Sequence, residues 1–336
     1  MSATSGSAMR AMVITSPGGP EVLALRERPR PVPRADQVVV RVRATGVNRA
    51  DLLQRAGKYP APPGAPEDIP GLEFAGEVAD VGEAVQGWRA GDRVFGISGG
   101  GTYAEFVAVH AGSLVAIPPT LDWAAAAAVP EAFITAHDAL VTQGGLARGE
   151  SVLVHAVGSG VGLAAVQVAR WRGATAYGTT RTPAKLEAAR VLGMTDGVAV
   201  EELPAVVEAV RGWTGGRGVS VVLDLVGGPY VPIGIEALAP LGRLMLVGTV
   251  AGTRAELRLD RILGKRLTVR GTVLRARSDD EKAAATAAFV RDLLPAFTAG
   301  ELRPVVDRVL PLEVAAEAHR LIAADANTGK VVLLVP

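Results

Sequence analysis

Cysteine is absent from this 336-residue sequence. The absence excludes disulfide bonds, thiolate zinc sites, cysteine-held iron–sulfur clusters and a cysteine nucleophile. Histidine is scarce, and none of the four histidines pairs with another at the helical or short-loop spacing typical of zinc ligands. Any chemistry must therefore come from oxygen or nitrogen groups or from an organic cofactor, and no resident metal is expected.

The sequence also lacks an excess of either charge and any long apolar run. Its 35 basic and 34 acidic side chains give a formal net charge of +1 and are spread along the whole length, which argues against nucleic-acid binding as the main task. No apolar run continues without charges for the roughly 18 residues that a membrane span requires, and the leading residues MSATSGSA are small and polar. We therefore expect a soluble, cytoplasmic protein that binds neither nucleic acid nor membrane.

The length and the 49% hydrophobic content predict two domains. The first third contains short strand patterns between dense turn signals, which predict a compact, mostly antiparallel barrel or sandwich. From Trp123 onward, helical stretches alternate with largely apolar strands and predict a parallel, doubly wound sheet. A closing strand over Lys330–Val335 is expected to return to the first domain. The predicted fold class is α/β.

The segment HAVGSGVG, at 155–162, is the strongest single motif. It follows a predicted buried strand and opens a predicted helix, so small residues let the backbone approach a pyrophosphate while the helix N-terminus supplies N–H donors and a positive dipole. Val157 and Ser159 depart from a strict G-x-G-x-x-G spacing. The context still predicts a dinucleotide site, for which the candidate cofactor contacts are Ala156, Ser159, Gly160, Val161 and Gly162.

The end of the next predicted strand indicates which dinucleotide is bound. An NAD enzyme places Asp or Glu there on the ribose 2′-hydroxyl, but segment 178–185 contains no acid. Arg181, Thr182 and Lys185, with Thr180 beside them, can hydrogen-bond a 2′-phosphate instead, so NADPH is the predicted cofactor. The alternative is that these are solvated residues in the first turn of a helix.

Two other predicted strand ends are candidate parts of the same crevice. Gly248 and Thr249 follow the strand 243–248, at a place where backbone can meet the nicotinamide amide. Asp224 lies near the end of another strand. It is either beside the cofactor or a local turn or capping residue.

Seven motifs follow one another along the chain: GVNRADLLQRAGKYPAPPG (46–64), PGLEFAGEVADVG (70–82), GDRV (91–94), VPEAFITAHDAL (129–140), HAVGSGVG, LDLVGG (223–228) and NTGKVVL (327–333). Each is weak alone, but their order and spacing are specific. Over essentially all of Met9–Val335 the chain resembles the zinc-free quinone oxidoreductase family of the medium-chain dehydrogenase/reductase superfamily, particularly its stress-inducible branch.

The resemblance implies a GroES-like barrel over residues 1–122 and 277–336, with a Rossmann dinucleotide-binding domain inserted at 123–276 and a cleft between them. Zinc-dependent relatives place cysteine and histidine ligands in the barrel, whereas the matching positions here are Asn48 and Leu72, while Glu73 remains. The resemblance therefore implies an enzyme without zinc. By the same analogy, the segment Leu267–Leu274 is expected to be a sheet edge through which two copies form a homodimer.

Residue by residue, Asn48 and Tyr59 match the polar pair that resembles the quinone-contacting residues of the family, although they could be a turn-stabilising amide and a packing aromatic. Thr135 matches a position near the nicotinamide, or is simply a core residue. Ser159 matches a cofactor-contacting residue. Lys330 resembles a neighbour of the cofactor phosphates, or is merely solvated.

These features together predict hydride transfer from NADPH to a quinone or similar electrophilic acceptor. Such transfer needs an electron-poor acceptor held face-on about 3–3.5 Å from the donor carbon, with the developing oxyanion stabilised by Tyr59 and Asn48. One alternative is reduction of an activated C=C bond, as in enoyl thioesters, 2-alkenals and other enones. Another is a protein that binds NADPH without catalysis.

Overall fold

The computed structural model describes residues 8–336, and the chain divides into two units. The first unit contains the chain up to Glu131 together with Leu274–Pro336, and the second contains Ala132–Val273. The first junction lies later than the predicted boundary at 122/123, because the helix Trp123–Ala127 packs against strands of the first unit. The second junction lies slightly earlier than the predicted 276/277.

The first unit is mainly antiparallel sheet. Strands β1 and β2 form a separate antiparallel pair, and a larger sheet has the order β14-β15-β3-β4-β5-β7, with β6 also paired to β3. Only the pair β14–β15 in this unit is parallel among the described residues. The strands are β1 (Ala8–Ile14), β2 (Leu23–Pro29), β3 (Gln37–Val47), β4 (Glu73–Val81), β5 (Arg93–Ile97), β6 (Phe106–His110), β7 (Leu114–Ala116), β14 (Val306–Pro311) and β15 (Lys330–Leu334).

Strand β15 returns to the first unit, as the sequence predicts. Val331 lies opposite Val47, and Leu333 lies opposite Thr45, in antiparallel register. Their apolar side chains join a core that also contains Val40 and Phe74. The pairing places the start of β15 beside the end of β3, where the polar residues of the first unit gather.

The second unit is a parallel sheet in the order β10-β9-β8-β11-β12-β13, the order typical of dinucleotide-binding folds. This confirms the predicted doubly wound sheet. The short strand β10 was missed because its sequence, DGVA, is only half-buried and has no apolar pattern. The strands are β8 (Ser151–Val154), β9 (Thr175–Thr180), β10 (Asp196–Ala199), β11 (Val219–Asp224), β12 (Leu238–Leu246) and β13 (Thr268–Gly271).

Helices connect the strands and cover the sheets. The α-helices are α1 (Arg49–Arg55), α2 (Trp123–Ala127), α3 (Thr135–His137), α4 (Gly160–Arg172), α5 (Ala184–Val191), α6 (Pro204–Thr214), α7 (Tyr230–Ala237), α8 (Leu259–Lys265), α9 (Asp279–Asp292), α10 (Leu294–Thr298) and α11 (Ala315–Ala323). Wider π-helical turns, Pro130–Ile134 and Asp138–Gln143, flank α3. Helices α9 and α10 are separate because Pro295 cannot donate a backbone hydrogen bond and occupies the first turn of α10 instead.

No helix within residues 8–336 is long and apolar enough to cross a membrane.

Candidate functional site

The turn between β8 and α4 is tight and built largely from backbone. Ala156 has φ +53°, and the Ser159 side chain caps α4 by accepting a hydrogen bond from the Gly162 N–H at 3.1 Å. A Cβ on Gly162 would stand 2.6 Å from the carbonyl oxygens of both Ala156 and Val157. Only glycine therefore allows the chain to fold back this closely.

The accessible part of this turn is suited to a phosphate group. Ala156, Ser159, Gly160 and Val161 are half-buried, whereas Gly162 is buried beneath them. The first turn of a 13-residue helix presents unpaired N–H groups and the positive end of its dipole there. Glycine and a short serine at these positions leave room for a pyrophosphate, so the turn fits the predicted dinucleotide.

His155 lies under the turn as a neutral, buried side chain. Its Nδ1 is 2.9 Å from the Thr179 hydroxyl, its ring packs edge-on against Tyr230 at a centroid distance of 5.0 Å, and its Nε2 has no hydrogen-bond partner among the described residues. Burial lowers the pKa of His155 to about 3. A ring of this kind is a packing element rather than a proton donor at neutral pH.

The end of β9 brings basic side chains close to the turn. The Thr180 hydroxyl accepts a hydrogen bond from the Thr182 N–H at 3.2 Å and so shapes the loop that exposes Arg181 and Thr182. The aliphatic stem of Lys185 lies against Gly158, where an added Cβ would be 2.6 Å from the lysine Cδ. The structure thus brings the candidate 2′-phosphate residues and the pyrophosphate turn together within one unit.

The ends of β11 and β12 also lie at this edge of the sheet. One Asp224 oxygen accepts hydrogen bonds from the N–H groups of Val226 and Gly227, both at 2.8 Å, which supports its interpretation as a turn residue. Its other oxygen is buried without a partner among the described residues, and burial raises the pKa of the carboxyl. Gly248 packs on the Leu225 carbonyl, where a Cβ would be 2.4 Å away.

Two remaining candidates of the second unit differ in exposure. Thr249 is exposed directly after Gly248, so its backbone is accessible at a strand end. Thr135 belongs to α3 and is only 8% exposed. The structure leaves both of its interpretations open.

In the first unit, Asn48 is held at both ends of its amide. It is the N-cap residue of α1, its Nδ2 donates to Glu73 Oε1 at 2.9 Å, and its Oδ1 accepts from Lys330 Nζ at 2.6 Å. The backbone N–H donates to the Asp51 carboxylate at 2.8 Å. The Nδ2 also makes a long contact of 3.4 Å with the Gly46 carbonyl, so both amide hydrogens face acceptors and the side chain is fixed in one orientation.

Lys330 is not the solvated residue that one interpretation of the sequence suggests. It is 5% exposed, and its ammonium lies 2.5 Å from Glu73 Oε1 while also donating to the Val47 carbonyl at 3.2 Å and to Asn48. All three ammonium protons thus have acceptors inside the first unit. Lys330 is the counter-ion of Glu73, itself fully buried, and its position next to the cofactor phosphates stays a prediction.

By the resemblance, Asn48 and Glu73 lie where zinc-dependent relatives carry their metal ligands, and Lys330 contacts both residues. No group of three or more histidine or acidic side chains that could hold a metal ion occurs within residues 8–336. An ammonium group, which has no lone pair when charged, faces the surviving acid. The donor set here does not fit a catalytic zinc.

Tyr59 lies in the loop after α1 and rests on a buried guanidinium. The Arg275 guanidinium carbon is 4.8 Å from the centroid of the Tyr59 ring. Burial raises the pKa of Tyr59, and the Arg275 charge opposes that rise. The hydroxyl is therefore protonated at neutral pH and can donate a hydrogen bond.

Three ionisable groups of this cluster are not among the site residues that the sequence predicts: Glu131, Asp51 and Arg275. Burial and the neighbouring Glu73 raise the pKa of Glu131 to about 8, and its N–H donates to Glu73 Oε2 at 2.8 Å. Burial also raises the pKa of Asp51 to about 6, against the hydrogen bonds that it accepts. Glu131 lies in the VPEAF motif and Asp51 in NRAD, so both motifs offered a signal; Arg275, only 4% exposed, offered none.

A buried chain of hydrogen bonds ends on the Asp51 carboxylate. The Tyr103 hydroxyl donates to Asp51 at 3.2 Å and lies 3.2 Å from His319 Nε2, and Arg55 lies 3.0 Å from His319 Nδ1. Burial lowers the pKa of His319 to about 3. Because an arginine can only donate, His319 carries its proton on Nε2, and the chain runs in one direction from Arg55 to Asp51.

Comparison with known proteins agrees with both units. Residues 34–119 match the family model described as an alcohol dehydrogenase GroES-like domain, and residues 160–289 match the one described as a zinc-binding dehydrogenase. The quinone oxidoreductase of Lama guanicoe is 33% identical over 342 residues, covering 99% of each chain. The chain belongs to the quinone oxidoreductase-like family of the medium-chain dehydrogenase/reductase superfamily. This membership confirms the predicted α/β fold with its GroES-like and Rossmann parts.

Two solved structures of the superfamily bear on the chemistry. A mycobacterial protein complexed with NADPH has a TM-score of 0.87 and 30% identity, covering 97% of this chain and 100% of that one. The CurF ER cyclopropanase of curacin A biosynthesis has a TM-score of 0.84 and 28% identity, covering 98% of this chain and 99% of that one. These relatives support an oxidoreductase with a nicotinamide cofactor.

Proposed function

We propose that the protein is a zinc-independent NADPH:quinone oxidoreductase. The observation that carries the proposal is a fixed Asn48 amide and a protonated Tyr59 hydroxyl within the same unit, where the donor set does not fit a catalytic zinc. The likeness to quinone oxidoreductases over the whole chain supports the acceptor class.

The proposed reaction requires positioning more than acid–base chemistry. The bound cofactor would supply a hydride. The Tyr59 hydroxyl donates a hydrogen bond to the acceptor oxygen as negative charge develops on it. The Asn48 N–H that otherwise makes only the long contact with the Gly46 carbonyl is shared with the same oxygen. Lys330 and Glu73 keep the Asn48 amide from rotating, and a proton from the Tyr59 hydroxyl or from water completes the quinol.

A panel of acceptors tests the reaction class. We expect turnover with quinones to exceed turnover with 2-alkenals and enoyl thioesters, and the double variant Tyr59→Phe, Asn48→Ala to lose at least about 10-fold in kcat/KM. Full quinone turnover by the double variant would remove the structural basis of the proposal. Tight NADPH binding with no turnover on any acceptor would indicate a binding protein.

Reduction of an activated C=C bond is the second candidate. The likeness to an ER cyclopropanase favours it, and the same hydroxyl could protonate the carbon next to a carbonyl. A higher kcat/KM for enoyl thioesters or 2-alkenals than for quinones in the same panel would select this function.

The preference for NADPH rests on Arg181, Thr182 and Lys185 in a loop without an acid. One charge-assisted hydrogen bond to the 2′-phosphate would give roughly 10- to 100-fold preference. We expect Arg181→Ser to lower the ratio of kcat/KM with NADPH to that with NADH by about 10-fold, and the exposed control Arg217→Ser to leave it unchanged. Equal efficiency of the unmodified protein with both cofactors would refute the preference.

We also propose a homodimer formed through β13. All four residues of this edge strand are exposed, and the nearby α8 exposes Leu259 and Leu263 one helical turn apart. Unpaired strand edges beside apolar side chains are normally covered in native proteins. Sedimentation should give a dimer that Val269→Lys converts to monomer, and a monomeric unmodified protein would contradict this.

A further inference from the structure

Arg275 is a buried cation that ties together three separate segments of the first unit. Its Nε donates to the Gly99 carbonyl at 2.9 Å, its Nη1 to the Tyr59 carbonyl at 3.2 Å and its Nη2 to Gln54 Oε1 at 2.5 Å. The Gln54 amide is fixed in turn, because its Nε2 donates to the Glu67 carbonyl at 3.0 Å. These bonds hold the guanidinium plane in one orientation.

The same guanidinium controls Tyr59 from two sides. It holds the Tyr59 backbone through the carbonyl bond and lies under the ring at 4.8 Å. A planar, permanently charged group suits both contacts, since arginine stacks on aromatic faces and still keeps its fork of donors. The loop that carries Tyr59 is otherwise rich in proline and glycine, with few side chains to fix it.

The three acceptors of Arg275 among the described residues are all neutral, so no contacting carboxylate within residues 8–336 cancels its charge. Asp51 and Glu131 act on it at longer range, and both raise its pKa while burial lowers it. Its field therefore reaches the Tyr59 hydroxyl, where positive charge favours release of the proton. Glu131 has the opposite influence on the same hydroxyl.

We propose that Arg275 is a positioning residue that holds the Tyr59 ring for the acceptor and makes its hydroxyl a stronger hydrogen-bond donor. This proposal rests on the proposed function of Tyr59 and adds the residue that controls it. The charged groups that act on this hydroxyl are Arg275, which lowers its pKa, and Glu131, which raises it.

Tyrosinate absorbance at alkaline pH tests the electrostatic part without any substrate. The difference between the unmodified protein and Tyr59→Phe isolates Tyr59 from the other three tyrosines. The same difference, taken between Arg275→Gln and the double variant Arg275→Gln, Tyr59→Phe, should show Tyr59 ionising about one pH unit higher. The exposed control Arg89→Gln should leave it in place, and an unchanged Tyr59 ionisation in folded Arg275→Gln would overturn the proposal.

A double-mutant comparison tests whether Arg275 acts through Tyr59. We expect Arg275→Gln to lower kcat for the preferred acceptor by about 10-fold in the natural background, and to change it by less than about twofold when Tyr59 is already phenylalanine. Equal losses in both backgrounds would show a merely structural role and overturn the proposal.

Arg275→Lys guards against a variant that does not fold. Lysine keeps the charge but not the planar set of donors. Tyr59 should therefore ionise at nearly the same pH as in the unmodified protein, while kcat still falls. Natural kcat in Arg275→Lys would overturn the positioning role. If the unmodified protein reduces neither quinones nor activated alkenes, the proposed function fails, whereas the ionisation of Tyr59 still decides the role of Arg275.

Discussion

The predicted cofactor turn of the second unit is shaped by backbone, whereas the cluster around Asn48 in the first unit is shaped by ionisable side chains. Around Gly162 and Gly248 main-chain carbonyls approach so closely that no side chain fits, and the buried His155 is neutral. Around Asn48, by contrast, Glu73 and Lys330 form an ion pair, with Asp51, Glu131 and Arg275 close by. The first kind of site is sensitive to volume, and the second is sensitive to charge and pH.

Removing the Lys330 ammonium should have the largest effect on stability, and that effect should be confined to the first unit. Lys330→Met leaves the fully buried Glu73 without its counter-ion, which costs about 3–5 kcal/mol of unfolding free energy. Urea unfolding measures the loss, and hydrogen exchange should rise in β3 and β15. The double variant Lys330→Met, Glu73→Gln should recover part of it. A Lys330→Met protein as stable as the exposed control Lys58→Met would contradict the buried pair.

Adding one methyl group to Gly162 should disrupt the predicted cofactor turn with no change in charge. Gly162→Ala places a Cβ 2.6 Å from two main-chain carbonyl oxygens, which cannot move apart without opening the turn. We expect the Kd for NADPH to rise about 10- to 100-fold, or roughly 1.4–2.8 kcal/mol, as measured by cofactor fluorescence. Gly212→Ala in α6, where the Cβ meets nothing within 4 Å, is the matched control and should bind as before.

The smallest effect should appear as a pH dependence of stability that belongs to the first unit. The pKa of Glu131 is about 8 in the folded protein, above its ordinary value of 4.5, so its contribution is fully present below about pH 4.5 and is lost as the pH rises through 8. Glu131→Gln should therefore lose about 1 kcal/mol less than the unmodified protein between pH 7 and pH 8. The exposed control Glu202→Gln should follow the unmodified protein, and identical curves for all three would refute the buried acid.

The sequence predicts the second unit better than the first for a physical reason. The βα turn, the strand ends and the basic loop after β9 are local features, so residues that work together are close in the chain. The cluster around Asn48 depends on contacts between distant segments. Lys330 contacts Asn48, 282 residues away, and Arg275 contacts Gln54, 221 residues away. The resemblance predicts Asn48 and Tyr59. No sequence pattern reveals that Lys330 contacts Asn48 and that Arg275 contacts Tyr59.

The same distance in sequence affects how the chain can fold as it is made. Ala132–Val273 is one continuous stretch, so the second unit has all of its strands once residue 273 has left the ribosome. The first unit must wait for β15, which is synthesised last and completes the sheet on β3. Until then Glu73 has no ammonium partner and the edge of β3 is open, so an unfinished chain carries a folded nucleotide-binding unit beside an incomplete barrel. We therefore expect nascent-chain chaperones to act on the first unit.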